Sequence, residues 1–174
     1  MNVFITGCST GIGLAAAEHF IAKGYQVIAT ARNPMSSEGL QSLIKGNNSA
    51  IVLPLDVTDQ ASVDATIEKA TDEVGAIDVL INNATIDAIP SKKNNYNNKF
   101  PTVDMWDQEL DSSLKASFLM IKYFGEQMAK RNKGSIINIG SDLSIIAPNQ
   151  KIYKHDYKDY IKPVTYSVIK HGIL

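Results

Sequence analysis

Short apolar runs alternate along the chain with longer segments whose apolar residues recur every three or four positions, the pattern of strands joined by crossover helices. The first run, Val3-Phe4-Ile5, leads through a glycine-rich turn into a helix from about Gly11 to Lys23. There Ile12, Ala15, Ala16, His19 and Phe20 fall at helical spacing, and Gly24 stands where a helix commonly ends. A second strand is predicted over Gln26 to Ala31, a weaker helix around Leu40 to Ile44, and a third strand over Ala50 to Leu55. Thr58-Asp59 opens a helix to about Val74, with Gly75 after it, and Ile77 to Ile81 forms the fourth strand. The unbroken Val79-Leu80-Ile81 suits a strand buried on both faces. The polar stretch Ser91 to Lys99 reads as a surface loop. A long helix from about Val103 to Arg131, Gly134, and a fifth strand over Ser135 to Gly140 follow. An irregular segment from about Ile145 to Pro163 then precedes the start of a helix at Thr165 to Leu174. The alternation predicts an α/β fold, a three-layer doubly wound parallel sheet with about five strands.

Composition narrows the partners. A length of 174 residues suits one domain, and 44% hydrophobic content is ordinary for a packed core. Lys and Arg number 17 against 18 Asp and Glu, so no basic field points to nucleic acid or to a membrane surface. No apolar run approaches the roughly 20 residues of a membrane span. Cys8 is the single cysteine, which excludes an internal disulfide, and the N-terminal residues lack a basic, apolar leader, so a reducing cytoplasm is expected. His155 and His171 have no clustered Cys, Asp or Glu around them in sequence, and no metal site is expected.

The most readable chemistry lies in the turn Thr6-Gly7-Cys8-Ser9-Thr10-Gly11-Ile12-Gly13. Between a strand and a helix, such a turn lets backbone amides and the helix N-terminus approach a pyrophosphate, as in a Rossmann-type dinucleotide-binding domain. Glycines are also what any tight strand-to-helix turn requires, so the turn alone is compatible with a purely structural role. Further motifs fall in order behind it: Asp56-Val57 after the third strand, Asn82-Asn83-Ala84 after the fourth, Ser141 after the fifth, and Tyr166-Ser167-Val168-Ile169-Lys170 in the final helix. Taken singly, Asp56 could be a turn or capping residue and Asn82 a strand-end hydrogen bonder.

Together these motifs resemble the short-chain dehydrogenase/reductase family over the whole chain. The resemblance implies an oxidoreductase moving hydride between a nicotinamide and a secondary alcohol or ketone, possessing a small-molecule alcohol or carbonyl substrate. It implies cofactor contacts from Thr6, Gly7, Ser9, Thr10, Gly11, Ile12, Gly13, Asp56, Val57, Asn83, Ala84, Tyr166 and Lys170. It also implies catalysis by Ser141, which would hydrogen-bond the reacting oxygen, with Tyr166 and Lys170; Ser144 is the nearby competitor for the serine role. Four residues apart on a helix, Tyr166 and Lys170 share one face, and the ammonium would favour the phenolate of a group that otherwise titrates near ~10. At the end of the second strand Ala31-Arg32 replaces the acidic residue that accepts the ribose hydroxyls of NAD. Arg32 can pair with a 2′-phosphate, so NADP(H) is the expected cofactor, with NAD(H) as the alternative and a solvated surface charge as the bland reading.

Three features depart from the family pattern. Thr85 stands where the Asn-Asn-Ala motif usually continues with glycine, and Ser113 stands where many members carry a proton-relay asparagine, or serves only as a helix packing residue. Between Ser141 and Tyr166 lie Tyr153, His155, Tyr157 and Tyr160 interleaved with Lys151, Lys154, Lys158 and Lys162, a segment longer than the family's usual spacing. With Ile145-Ile146-Ala147-Pro148 and Lys162-Pro163-Val164-Thr165-Tyr166-Ser167-Val168-Ile169-Lys170-His171-Gly172, it looks like a bacterial branch associated with surface-sugar and flagellin-glycan biosynthesis, whereas the first half looks more like members acting on lipophilic alcohols. A basic aromatic loop would suit a phosphorylated or nucleotide-linked sugar, or be a solvated lid. Five predicted strands against the roughly six of such a sheet lead to the expectation of one domain over residues 1–174 lacking its C-terminal strands. The isolated fragment is accordingly expected to turn over weakly, and the complete protein to form a homodimer or homotetramer. A non-catalytic dinucleotide-binding or regulatory protein of the same fold is the alternative.

Overall fold

A computed structural model describes residues 1–86, 101–153 and 161–174. The predicted loop Ser91 to Lys99, with Lys154, His155, Tyr157, Lys158 and Tyr160, lies outside the described residues. In chain order the elements are β1 (Asn2–Ile5), α1 (Gly11–Ala22), β2 (Gln26–Ala31), α2 (Glu38–Lys45), β3 (Ala50–Pro54), α3 (Gln60–Val74), β4 (Val79–Asn82), α4 (Val103–Leu110), α5 (Ala116–Met120), α6 (Glu126–Lys130), β5 (Ser135–Asn138) and α7 (Val164–Gly172). They fall into two compact units, one of Met1–Ala84 with Lys115–Asn138, the other of Thr85–Leu114 with Ile139–Leu174.

The first unit carries a five-stranded parallel sheet in the order β3-β2-β1-β4-β5. The chain winds outward from β1 to β3, then returns to lay β4 on the other side of β1, where Val3 pairs in register with both Val27 and Val79. This reversal of direction is where doubly wound sheets open a crevice at the strand C-termini. Because β1, β2 and β4 are flanked on both edges, their residues are almost all apolar and buried. One sheet face packs Phe4, Ile28 and Leu80 against Val63 and Ile67 of α3 and against Met120, Phe124 and Met128, with the Phe4 and Phe124 rings 4.8 Å apart. β3 and β5 are the edge strands, and Ile136 and Ile137 of β5 are 38% and 42% exposed.

Two helix starts follow from short polar side chains. Ser37 accepts from the Leu40 amide to begin α2, and Asp59 accepts from the Ala61 amide to begin α3, each satisfying a donor the helix cannot. Three predicted strands end differently: β3 stops at Pro54, β4 begins at Val79, and β5 stops at Asn138 rather than Gly140. Ile77, though outside the strand, is 1% exposed, so burial there marked the core rather than the ladder. The predicted long helix is helical from Val103 to Lys130 but not uniformly α. Asp111–Lys115 and Ile121–Gly125 are π-helical turns with ordinary helical backbone angles at their borders, and each rotates the residues after it relative to an unbroken 3.6 period.

In the second unit Thr102 caps α4 through the Met105 amide, and α7 packs on α4 and on a 3₁₀ turn at Asp142–Ser144. The segment expected to be irregular also holds a 3₁₀ turn at Gln150–Tyr153. Among the described residues no helix is long and apolar enough to cross a membrane.

Candidate active site

The glycine turn is built by residues on both sides of the first crevice. Thr6, 2% exposed, extends β1 by donating its amide to Ile81, while its hydroxyl accepts from the amides of Asn83 and Ala84 at 3.0 and 2.9 Å. The Asn83 side-chain amide donates back to the carbonyls of Thr6 and Gly7, both at 2.9 Å. These five bonds therefore tie the end of β1 to the end of β4. Gly7 has φ +73°, and a Cβ on it would sit 2.8 Å from Ala84 Cα; a Cβ on Gly13 would strike the Gly7 carbonyl and lie 2.5 Å from Asn83 Nδ2. Only glycine fits this double constraint of conformation and proximity. Thr6 and the Asn83 side chain thus hold the turn, whereas Ser9, Thr10, Gly11 and Ile12 form its exposed rim.

Thr10 stands at the N-cap of α1 in extended conformation with no side-chain capping bond, and the first turn contains no acidic residue. The leading N–H groups of a 12-residue helix are thereby left to an external acceptor, and the absence of a nearby carboxylate suits an anion. These features fit a dinucleotide pyrophosphate. Cys8, inside the turn, donates its amide to Thr30 at 2.7 Å, and burial pushes its thiol up to about 12, so it packs rather than reacts.

Arg32 follows β2 as an exposed side chain, and Asp56 follows β3 with Val57 buried behind it. Asp56 Oδ1 accepts from the Thr58 hydroxyl at 2.7 Å and the Thr58 amide at 3.0 Å. The hydroxyl chiefly, then the amide, hold the Asp56 carboxyl below its ordinary value, and the Arg32 charge adds to them. Asp56 is thus a turn residue, whatever else it contacts. Asn82 likewise bonds across the strands, Nδ2 to Asn138 Oδ1 at 2.9 Å.

In the second unit α7 starts at Pro163, whose φ of −61° and ψ of 146° set the N-cap. Lys170, 3% exposed, donates Nζ to the Ile139 carbonyl at 2.6 Å, and the same ammonium lies 5.8 Å from the centre of the Tyr166 ring. The predicted Tyr-Lys pair is therefore assembled, with Lys170 pinned to the backbone just before Ser141. Ser141 caps the Asp142–Ser144 turn: its hydroxyl donates to Asp142 Oδ1 at 3.0 Å and accepts from the Leu143 amide at 3.2 Å. Ser144, the competing serine, is 9% exposed and donates its hydroxyl to the Ser141 carbonyl, while its own carbonyl meets His171 Nδ1 at 2.8 Å. Both serine hydroxyls thus serve the same turn.

Two placements correct the sequence expectations. Lys162 was expected in a basic surface loop but is 7% exposed, because its stem is buried and its Nζ sits 3.7 Å from the Tyr166 ring centre. Thr85 and Ser113, two residues expected to depart from the family pattern, meet: their hydroxyl oxygens are 2.6 Å apart, with Ser113 fully buried in the first π turn. Neither was evident in the spacing, since Lys162 precedes the helix and the π turn displaces Ser113 from its α-helical position. A cavity of about 810 Å³ opens beside α7, lined mainly by apolar groups including Leu143, Ile145, Ile146 and Val168, with Ser144 and His171 at its wall.

Residues 1–154 match the model of the short chain dehydrogenase family. The chain is 33% identical over 137 residues to 3-oxoacyl-acyl-carrier-protein reductase of Escherichia coli, covering 79% of this chain and 53% of that protein. It is 30% identical over 149 residues to D-threitol dehydrogenase of Mycolicibacterium smegmatis, covering 85% and 55%. The chain thus spans about half the length of the curated relatives it matches. Among solved structures it resembles a serine dehydrogenase complexed with NADP+ (TM-score 0.77, 28% identity, 99% of this chain and 62% of that one). It also resembles a short-chain dehydrogenase from Streptomyces avermitilis (TM-score 0.78, 25% identity, 99% and 57%). With the glycine turn, the parallel sheet and the Tyr166-Lys170 pair already in place, these matches show that the chain belongs to the short chain dehydrogenase family.

Proposed function

We propose that this chain holds the nucleotide-binding and proton-transfer residues of an NADP(H)-dependent oxidoreductase that interconverts a secondary alcohol and a ketone. The observation that carries the reading is the Lys170 ammonium, buried and fixed on the Ile139 carbonyl within 5.8 Å of the Tyr166 ring. A fixed positive charge favours the phenolate over the phenol and brings Tyr166 closer to the pH at which it can exchange a proton with a substrate hydroxyl. When bound, the nicotinamide supplies or accepts the hydride. Gly7 to Gly13 and the uncapped start of α1 would bind its pyrophosphate, Arg32 would pair with the 2′-phosphate, and Asp56, Val57, Asn83 and Ala84 would border the nucleotide. Ser141 would polarise the reacting oxygen, exchanging its bond to Asp142 for one to substrate.

Two substrate classes are suggested by the relatives, an acyl thioester ketone and a polyol. The apolar lining of the cavity beside α7 favours a ketone with an apolar arm over a sugar. The complete protein is tested with NADPH against acetoacetyl-coenzyme A and an acyclic methyl ketone, and with NADP+ against a polyol, beside its Tyr166→Phe variant. We expect carbonyl reduction that falls by at least ~100-fold in the variant while NADPH binding persists. Full turnover by Tyr166→Phe would overturn the assignment of Tyr166. NADPH binding without hydride exchange on any probe would select a non-catalytic dinucleotide-binding role.

A further inference from the structure

Tyr166 has a second lysine. Lys162 places its ammonium 3.7 Å from the centre of the Tyr166 ring, nearer than the 5.8 Å of Lys170. The position is built from several sides. Gln150 clamps the Lys162 backbone with two bonds, its Oε1 accepting from the Lys162 amide at 2.9 Å and its Nε2 donating to the Lys162 carbonyl at 3.1 Å. Pro163, itself buried, restricts the residue before it to extended backbone and fixes the entry into α7. The side chain is 7% exposed, so it cannot relax into bulk water as a surface lysine would.

We propose that Lys162 is a positioning residue for Tyr166, its ammonium resting on the ring and adding to Lys170 in favouring the phenolate. The inference rests on the reading of Tyr166 as the proton-transfer residue. A cation over a neutral aromatic ring is attracted by the ring quadrupole alone; over a phenolate, whose charge spreads into the same ring, it meets a full negative charge. The contact is therefore stronger in the deprotonated form, and burial magnifies the difference. Lys170 has its Nζ directed to a carbonyl at 2.6 Å, so the nearer ring contact falls to Lys162. Among the described residues, the other titratable groups on elements packed around this site are Lys170 and His171 on α7, Asp142 on the adjoining turn, Lys151 and Tyr153 on the Gln150–Tyr153 turn, and Asp104, Asp107 and Glu109 on α4. All are retained in the variants used below, so a shift between variants reports Lys162.

The test is a titration of Tyr166 in the complete protein by carbon NMR of ring-labelled tyrosine, with the resonance assigned by its loss in Tyr166→Phe. Lys162→Met keeps the buried stem and removes the charge; Lys162→Arg keeps the charge. We expect Lys162→Met to raise the Tyr166 midpoint by about one pH unit, and Lys162→Arg to return it toward the wild-type value. Gln150→Ala, which frees the Lys162 backbone, is expected to raise it by less. An unchanged midpoint in both Lys162→Met and Gln150→Ala overturns the proposal, as does an Arg variant that behaves like Met. The titration needs no turnover, so its outcome is separable from the proposed reaction. Where acetoacetyl-coenzyme A is reduced, kcat at neutral pH is expected to fall roughly tenfold in Lys162→Met with the KM for NADPH unchanged. A rise in KM alone counts against a positioning role.

Discussion

The hydroxyl oxygens of Thr85 and Ser113 lie 2.6 Å apart. Ser113 is at 0% exposure inside a π turn, and Thr85 is half-buried. Removing one partner costs more than removing both, above all when Thr85 is changed and the fully buried Ser113 hydroxyl is left unpaired. Ser113→Ala and Thr85→Val are each expected to destabilise the protein by about 1 kcal/mol, and the double variant by less than their sum. Urea unfolding of the two single variants and the double variant measures the coupling. Strict additivity would show that the two hydroxyls do not depend on each other.

A second prediction concerns the turn. Thr6 Oγ1 accepts from two consecutive amides, Asn83 and Ala84, and a valine of the same shape offers neither lone pair. Thr6→Val is expected to lose on the order of 2 kcal/mol, since two largely buried donors lose their acceptor. The distinguishing readout is hydrogen exchange, in which protection should fall at the Asn83 and Ala84 amides before it falls in the β1 ladder. Uniform loss across the sheet would instead indicate a general packing defect.

How far the sequence could be read depended on whether a feature was local. β1, β2 and the start of α3 follow from runs such as Val3-Phe4-Ile5 and from the cap at Asp59, whose signals lie within a few residues of their effect. Tyr166 and Lys170 were legible because four residues in an α-helix make one turn. The π turns at Asp111–Lys115 and Ile121–Gly125 were not, because apolar spacing in a long helix looks the same with one residue added per turn. Lys162 does not stand out from the other lysines of its segment in sequence, because its setting involves Gln150, 12 residues away, and a ring four residues ahead. The double role of Asn83, its amide accepted by Thr6 and its side chain holding Thr6 and Gly7, spans 77 residues and has no counterpart in local pattern.

Acid should act on the first unit through Asp78. Its carboxylate accepts from the Asn2 amide at 3.0 Å and lies 3.5 Å from both Arg131 and Lys133. The Asn2 bond chiefly, against some desolvation, and then Lys133 and Arg131 lower its pKa in the folded state. A carboxyl depressed on folding contributes stability that is present above its unfolded value of about 3.9 and is lost as pH falls through the folded value. Asp78→Asn is therefore expected to be less stable than wild type at neutral pH, and to converge with it as the medium is acidified below that range. Chemical denaturation at a series of pH values tests this. Parallel acid limbs would remove Asp78 from the account.

The proposed preference for NADP(H) would rest on Arg32, exposed at the C-terminal end of β2, where the sheet opens beside the glycine turn. Its charge already acts on Asp56, so a 2′-phosphate placed there would meet an arginine beside a carboxylate kept ionised by Thr58. The arginine must then outweigh the carboxylate, which makes it the residue on which discrimination depends. A charge-assisted bond to phosphate contributes about 1.5–3 kcal/mol, and its exposure places Arg32 near the lower end through solvent screening. Arg32→Ala is expected to weaken NADPH about tenfold and leave NADH nearly unchanged, with the NADPH advantage also shrinking as salt rises. Fluorescence titration of both nucleotides at low and high salt separates the outcomes. Equal losses for NADPH and NADH would place Arg32 on a part of the nucleotide the two share, and tighter binding of NADH to the wild-type protein would reverse the proposed preference outright.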